Sequence, residues 1–455
     1  MIDKSEIGRN IRELLNGYVE KGKKLEVTLR PPDYADVFID GGYFNTYCMK
    51  TKNFISNIRA ETKNDNEFCM PVCIARDDLR EKDIGYKGAE IQLPASVYEL
   101  KDAFQRARIR NEKYTISMCE IYGKDISEKL DSSAETLEKL NYLANILKRF
   151  SLHEHALYRG YLEQKGLDSL TLIDLINITY NLQDCDIIYN VFNDTDLGKL
   201  YAHNGMLDWI CDISEDVWHY LDYESIGQDI RMKENGIYTE DGYFFNAASE
   251  YATVYDGNEF PEPFEKDEYI FKLLIAPKAE ISEAKTDGKW LSLPVSDAGI
   301  SIFFEQMGVD SDDDCILYAV LSMETDIPML VKGLRQLETL NSLARKMRDF
   351  DESGDAAKFK AVISGGICKS LDDVMEMTVK LNEFEFYPDI STPEEYARYI
   401  YKEKYSPVLP KSLEQHFNFA SYAEELSATG NIYVTEYGVI CDLCANERKI
   451  ESHTQ

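Results

Sequence analysis

Carboxylates are the side chains that this sequence offers most abundantly for chemistry. A pair of them can serve as general acid and base, yet with 82 acidic residues among 455 the proximity of any two is uninformative. A row of exposed carboxylates can instead imitate nucleic-acid phosphates, because duplex DNA carries one negative charge per ~1.7 Å of axis. The candidate clusters are Asp184, Asp186, Asp194, Asp196, Asp222, Glu224 and Asp229, followed by Asp312, Asp313, Asp314, Asp372, Asp373, Glu376, Glu383, Glu385, Asp389, Glu394, Glu395, Glu424 and Glu425.

The excess charge is unevenly distributed. Residues 1–66 hold eleven Lys/Arg and ten Asp/Glu, which is a net charge of +1. Because the whole chain has a net charge of −32, residues 67–455 carry −33. Spread along a duplex, those 33 charges would match about 56 Å of axis. Helical residues i and i+4 lie about 6 Å apart, which is close to the phosphate step of one strand. An ordinary solvated surface remains the alternative for any single carboxylate. Halophilic adaptation fits poorly, because Lys is plentiful.

Other residue types give little support for catalysis. The sequence lacks the glycine-rich phosphate loops and the common hydrolase, protease and kinase motifs. His153 and His155 flank Glu154, but the chain has only six histidines and no further ligand cluster beside these two. We therefore predict no catalytic residue, no cofactor and no enzymatic activity. Basic aromatic patches are also missing outside residues 1–66, and the overall field repels phosphates, so we expect no binding to nucleic acid.

The cysteines point to a reducing compartment. Ten of them show no secreted disulfide pattern. Cys69 and Cys73 form one close pair and Cys441 and Cys444 another, but a zinc site needs four ligands at suitable spacing, so we predict no metal site. The N-terminus lacks a signal-peptide pattern, and no apolar run is long enough to span a bilayer. These features predict a cytoplasmic protein without membrane contact.

The elements that must position the carboxylates occur twice. Identical or similar residues recur 200 positions apart, which indicates a duplicated module. The repeated pieces are Leu93-Pro94 with Leu293-Pro294, Leu137 to Ala144 with Leu337 to Ala344, and Phe150 with Phe350. Each copy reads strand, strand, helix, strand, then three helices. The first helix is predicted over Ser96 to Ala107, where Ser96 and Glu99 form a capping box. In the second copy, helices are predicted over Ile300 to Gln306 and over roughly 328–349.

The duplication sets the predicted domain organisation. Residues 1–66 have no later counterpart and form an N-terminal element of unknown role, with an amphipathic helix over 1–25 and strands thereafter. The first module covers 67–250, a linker 251–268, the second module 269–445 and a tail 446–455. The predicted fold class is α+β, with two tandem acidic modules.

At this level of detail each module resembles the ArdA-type antirestriction proteins of plasmids and conjugative elements. The resemblance covers roughly 68–250 and 267–445. The first copy carries Leu93-Pro94, Leu140-Asn141-x-Leu143-Ala144, Asp222 to Ile230 and Gly242-Tyr243. The second carries Trp290 with Leu293-Pro294, Leu340-Asn341-x-Leu343-Ala344 and Phe419 to Leu426, but it replaces the closing Asp-Tyr and Gly with Asn418-Phe419 and Ala423.

The resemblance implies an elongated DNA mimic from a mobile genetic element. Such a protein occupies the DNA groove in the methyltransferase core of type I restriction–modification enzymes and blocks restriction, sometimes also modification. Family members are about one module long and form dimers. Two modules in one chain therefore suggest a pseudo-dimer within the chain or a homodimer. The alternative is an acidic scaffold or adaptor of a conjugation or regulatory complex, in which residues 1–66 would be the working part.

Overall fold

The architecture comes from a computed structural model of the whole chain. The described residues are 9, 11, 24–30, 34–39, 42–48, 53–55, 68–82, 86–247, 251–264, 268–277, 289–309, 315–321, 337–404, 411–428 and 431–445. The helix predicted over residues 1–25 falls almost entirely outside them. Within these ranges, no helix combines the length and the apolar character needed to cross a bilayer.

The N-terminal element contains a four-stranded antiparallel meander. Its strands pair in the order β1-β2-β3-β4, and Ala35 and Val37 of the second strand are fully buried. The alternation of apolar residues in this segment therefore reflects real strands, as the sequence predicts. The strands are β1 (Leu25–Arg30), β2 (Tyr34–Ile39), β3 (Gly42–Cys48) and β4 (Asn53–Ile55).

The first module begins with an antiparallel sheet in the order β6-β5-β7-β8, followed by a helical layer. The Ser96 hydroxyl accepts from the Glu99 amide while the Glu99 carboxylate accepts from the Ser96 amide, which confirms the predicted capping box. The elements are β5 (Met70–Arg76), α1 (Asp77–Lys82), β6 (Ala89–Leu93), α2 (Val97–Arg106), β7 (Tyr114–Ile121), β8 (Lys124–Asp125), α3 (Ala134–Lys148), α4 (Leu152–Lys165) and α5 (Leu172–Ile178).

A smaller sheet with two helices completes the first module. It comprises β9 (Cys185–Tyr189), α6 (Asp194–His203), α7 (Tyr223–Glu234), β10 (Ile237–Tyr238) and β11 (Gly242–Asn246). The strand order is β10-β11-β9, so β9 lies at an edge.

The second module repeats this plan. Its first sheet has the order β13-β12-β14 and its second the order β15-β17-β16. The elements are β12 (Phe271–Pro277), β13 (Lys289–Leu293), α8 (Asp297–Met307), β14 (Cys315–Leu321), α9 (Leu337–Ser353), α10 (Ala356–Ser364), α11 (Leu371–Met377), β15 (Phe384–Tyr387), α12 (Pro393–Lys404), α13 (Phe419–Ala428), β16 (Ile432–Thr435) and β17 (Gly438–Asp442). The predicted α+β fold with two tandem modules is confirmed.

The repeated sequence motifs make the same contact in both modules. Asn141 on α3 is buried, and its amide accepts from the Ala95 backbone N–H at 2.7 Å and donates to the Ala95 carbonyl at 2.9 Å. Asn341 on α9 holds Val295 with two bonds of 2.9 Å. Both held residues directly follow a cis Leu-Pro bond. The motif therefore fastens the sheet edge to the helical layer by satisfying backbone groups that would otherwise be buried without partners.

Residues 251–264, which lie in the predicted linker, pack against the first module. Tyr255 is fully buried, and the Phe260 ring stacks on Tyr142 with centroids 4.1 Å apart. The buried Asn177 side chain accepts from the Tyr255 amide at 2.8 Å and donates to the Tyr255 carbonyl at 2.8 Å. Residues 251–264 therefore pack along the helical layer of the first module through buried side chains and backbone hydrogen bonds.

Candidate functional site

The predicted carboxylates concentrate in the last third of each module. There a strand, two helices and a hairpin follow one another, over residues 185–246 in the first module and 384–442 in the second. We refer to these two segments as the first and second closing units. Fourteen of the twenty candidates fall within them or one residue before them. Seven candidates therefore lie in or directly beside each closing unit.

The edge strand of each closing unit carries acidic residues at the same two positions. Asp184 and Asp186 flank the start of β9, and both are exposed. Glu383 and Glu385 occupy the equivalent places at β15, where Glu383 is half-buried and Glu385 is exposed. Charges on an edge strand also prevent unwanted strand pairing, which is a purely structural reason to find them there.

Several candidates lie at helix starts, where a carboxylate stabilises the free amides and the helix dipole. Asp222 accepts from the Ser225 amide at 3.1 Å at the start of α7, and Asp373 accepts from the Ser370 amide at 3.0 Å at the start of α11. Glu395 of α12 accepts from the Ser391 amide at 2.7 Å. Asp196, Glu224, Asp372 and Glu394 also lie in first helical turns.

Asp194 and Asp389 pair with arginines of the same chain. Asp194 accepts from Arg231 Nε at 2.7 Å and from the Tyr238 hydroxyl at 2.7 Å. The Arg231 bond is the main reason that the pKa of Asp194 lies below its usual value. Asp389 accepts from two arginines of the first module, and their bonds together outweigh the opposing effect of burial, so its pKa is also lowered. Both carboxylates fix internal geometry.

A family comparison matches both modules. The family described as "Antirestriction protein (ArdA)" matches residues 85–245 and again residues 275–441. The chain belongs to the ArdA family of antirestriction proteins. Both closing units lie within the matched regions, apart from the terminal residues Asn246 and Asp442. No match was found among curated proteins.

The two ArdA modules expose a further set of carboxylates on helices. Glu224 and Asp229 are exposed on α7, as are Glu424 and Glu425 on its counterpart α13. Asp372 and Glu394 are exposed at the starts of α11 and α12, and Glu376 near the end of α11 pairs with Lys380, which lies just beyond that helix. The remaining candidates, Asp312, Asp313 and Asp314, lie outside the described residues.

The sequence reasoning overlooked one acidic segment between α6 and α7. Asp208, Asp212 and Asp216 recur every four residues there, and all three are exposed. Trp209 and Tyr220 in the same segment are 42% and 79% exposed, so apolar surface accompanies the charge. The regular Asp spacing was a signal that could have identified this segment.

Close packing of two helices positions the carboxylates of the first ArdA module. A Cβ atom on Gly198 of α6 would lie 1.9 Å from the Tyr223 carbonyl oxygen, and one on Gly227 of α7 would lie 1.8 Å from the Asp194 carbonyl oxygen. Only glycine permits this approach. In the second module the corresponding residues are Ala397 and Ala423, both buried. The departure from glycine at Ala423 is thus matched by a second small residue on the facing helix.

His153 and His155, which flank Glu154, both contact tyrosine hydroxyls. His155 is buried on α4, its Nδ1 lies 2.6 Å from the Tyr122 hydroxyl, and burial lowers its pKa. His153 is exposed, with its Nδ1 2.8 Å from the Tyr189 hydroxyl. Within the described part of the chain, no group of three or more His, Cys, Asp or Glu residues could hold a metal ion.

Proposed function

We propose that this ArdA protein inhibits a type I restriction–modification enzyme by mimicking DNA. Carboxylates of the two closing units stand in for backbone phosphates and occupy the basic DNA groove of the enzyme's methyltransferase core. The observation that carries this proposal is that equivalent elements carry exposed acidic residues in both modules, namely the edge strands β9 and β15 and the helices α7 and α13. A duplicated acidic surface supplies two rows of charge to one target.

The electrostatics of the whole chain support such a partner. With a formal net charge of −32, the protein attracts a positively charged cleft and repels nucleic acid. Complementary potentials of this kind accelerate encounter and confer specificity, and their effect weakens as salt screens the charges. Inhibition by occupancy requires no bond to be made or broken, so the mimic needs neither a nucleophile nor a cofactor.

The acidic helices provide the test. Glu224→Gln, Asp229→Asn, Glu424→Gln and Glu425→Gln together remove four charges from α7 and α13 while keeping the side-chain shapes. At about 0.5 kcal/mol for each exposed charge, the combined loss is about 2 kcal/mol, or about thirtyfold in Kd. Displacement of a fluorescent target duplex from a type I methyltransferase core, read as anisotropy, measures the change.

A matched control removes the same number of charges elsewhere. Glu81→Gln, Glu90→Gln, Glu128→Gln and Asp168→Asn alter exposed positions in the sheet and helical layers of the first module. The control is expected to bind nearly as well as the unaltered protein. Equal weakening by both variants would show that only net charge matters, and unchanged binding by the first would refute the assigned surface.

A further inference from the structure

A buried ionic network joins the two modules. Asp102 on α2 is 1% exposed and accepts from Lys360 Nζ on α10 at 2.7 Å and from the Tyr437 hydroxyl at 2.9 Å. Arg106 donates to the other Asp102 oxygen at 2.9 Å. Lys360 is 5% exposed and donates a second bond to Gln105 at 2.9 Å. One carboxylate of the first module thus gathers two groups from the second.

Arginines of the first module also bond directly to the second closing unit. Arg76 and Arg110 donate to Asp389 at 2.5 and 2.9 Å, and Asp389 lies between β15 and α12. Arg108, which is buried, donates to the Thr435 carbonyl at 3.5 Å and bonds the Ser391 hydroxyl. Three arginines of one module therefore hold the loop and the hairpin that flank the acidic elements of the other.

Apolar and peripheral contacts surround this network. Tyr98 of α2 packs against the hydrophobic core of the second module. Lys101 pairs with Asp351, and the Tyr269 hydroxyl donates to Glu99 at 3.3 Å. The network is thus enclosed by contacts from both modules, which accounts for the burial of its central ion pair.

The residues of the network are specific to their own module. At 200 positions from Asp102 and Arg106, helix α8 carries Ile302 and Gln306, and Ile302 is 53% exposed. The turn that carries Tyr437 in the second module carries Asp241 in the first. Asp241 accepts from Arg159 of its own module at 2.7 Å. The hairpin turn of the first module therefore bonds to its own module through Asp241. The equivalent turn of the second module bonds to Asp102 of the first module through Tyr437.

We propose that this network is a positioning device that docks the modules in one order and one orientation, so that both closing units face the same target in fixed register. A buried charge without its partner is strongly unfavourable, so alternative dockings that separate Asp102 from Lys360 are disfavoured. Rows of carboxylates held in register bind one cleft together, as linked sites do. The functional half of this proposal rests on the DNA-mimic function proposed above.

Exchanging the α2 residues for those of α8 tests the device in the full-length chain. The variant Asp102→Ile with Arg106→Gln carries side chains that α8 tolerates at the same positions, yet it leaves Lys360 buried without its carboxylate. Small-angle X-ray scattering is expected to show a larger radius of gyration. Displacement of duplex from the methyltransferase core is expected to weaken by about tenfold or more.

A second variant separates lost docking from misfolding. Adding Lys360→Met and Tyr437→Phe to the exchange leaves no charge in the centre of the junction, and uncharged replacement of a buried ion pair often restores stability. This variant is expected to recover both the compact scattering profile and the inhibition. Circular dichroism compares the helix content of both variants with that of the unaltered protein.

Two results would overturn the proposal. An unchanged scattering profile in the exchange variant would show that the network does not hold the modules together. A larger radius of gyration with undiminished displacement would show that register does not matter for the target. Absence of displacement by the unaltered protein would refute the proposed function and the functional half of this inference, while the scattering profiles would still decide whether the network docks the modules.

Discussion

Individual carboxylates in this protein divide between internal structure and exposed surface, and Asp194 belongs to the first group. Its ion pair with Arg231 links the start of α6 to α7, and both side chains are less than one third exposed. We expect Asp194→Asn to lower the free energy of unfolding by about 1 kcal/mol at pH 7, because a neutral amide loses the charge-assisted bond.

This loss should depend on pH in a defined direction. The Arg231 bond lowers the pKa of Asp194 in the folded state. Its stabilising contribution is therefore complete above the unfolded-state pKa of ~3.9 and disappears as the pH falls through the folded-state pKa. Urea unfolding at pH 7 and near pH 2.5 measures this, with the exposed Asp208→Asn as control. An equal deficit at both pH values would contradict the assignment.

Short-range residue roles were predictable from the sequence, whereas long-range ones were not. The Ser96–Glu99 capping box depends on residues three apart, so the pattern alone indicates it. Asp102 appears in the sequence as one more helical carboxylate, because its partner Lys360 is 258 residues away. Asp389 was predicted as a surface carboxylate, because its partner Arg76 is likewise far away in the sequence.

At the scale of elements, the glycine contact between α6 and α7 makes a testable difference between the modules. Gly227→Ala places a methyl group 1.8 Å from the Asp194 carbonyl oxygen, so the helices must separate. Overpacking of this kind typically destabilises by about 1–3 kcal/mol. We expect the midpoint temperature of thermal unfolding, monitored by circular dichroism, to fall. We also expect binding to the target to weaken, because Glu224 and Asp229 move with α7.

The reciprocal change in the second module serves as the comparison. Ala423→Gly adds no atoms, and the expected loss is only that of helix propensity and a lost methyl group, about 1 kcal/mol. If Gly227→Ala proves no more harmful than Ala423→Gly, the close approach of α6 and α7 does not constrain the first module.

Element types followed from sequence pattern more reliably than element ends. The predicted helix Ile300 to Gln306 extends over Asp297–Met307, because Ser296 caps its start and Gly308 closes it with φ of +69°. The helix predicted over 328–349 is described from Leu337 and continues to Ser353. Apolar periodicity locates a buried face, and the polar end residues lie beyond that signal.

At the scale of the whole molecule, the duplication was visible in the sequence because the motifs that fasten sheet to helices recur intact. The order and geometry in which the modules meet were not visible, since they depend on residues that differ between the copies, such as Asp102 against Ile302 and Tyr437 against Asp241. The exposure of the carboxylates likewise required the fold, which separates capping and paired residues from those on the surface.

The most direct test of DNA mimicry is displacement of a labelled target duplex from a type I methyltransferase core by the full-length protein, followed by anisotropy at two salt concentrations. The account predicts complete displacement at low salt, a weaker apparent affinity at high salt and no change in the anisotropy of duplex alone. A duplex that stays bound to the core at low salt, in the presence of excess folded protein, would contradict it.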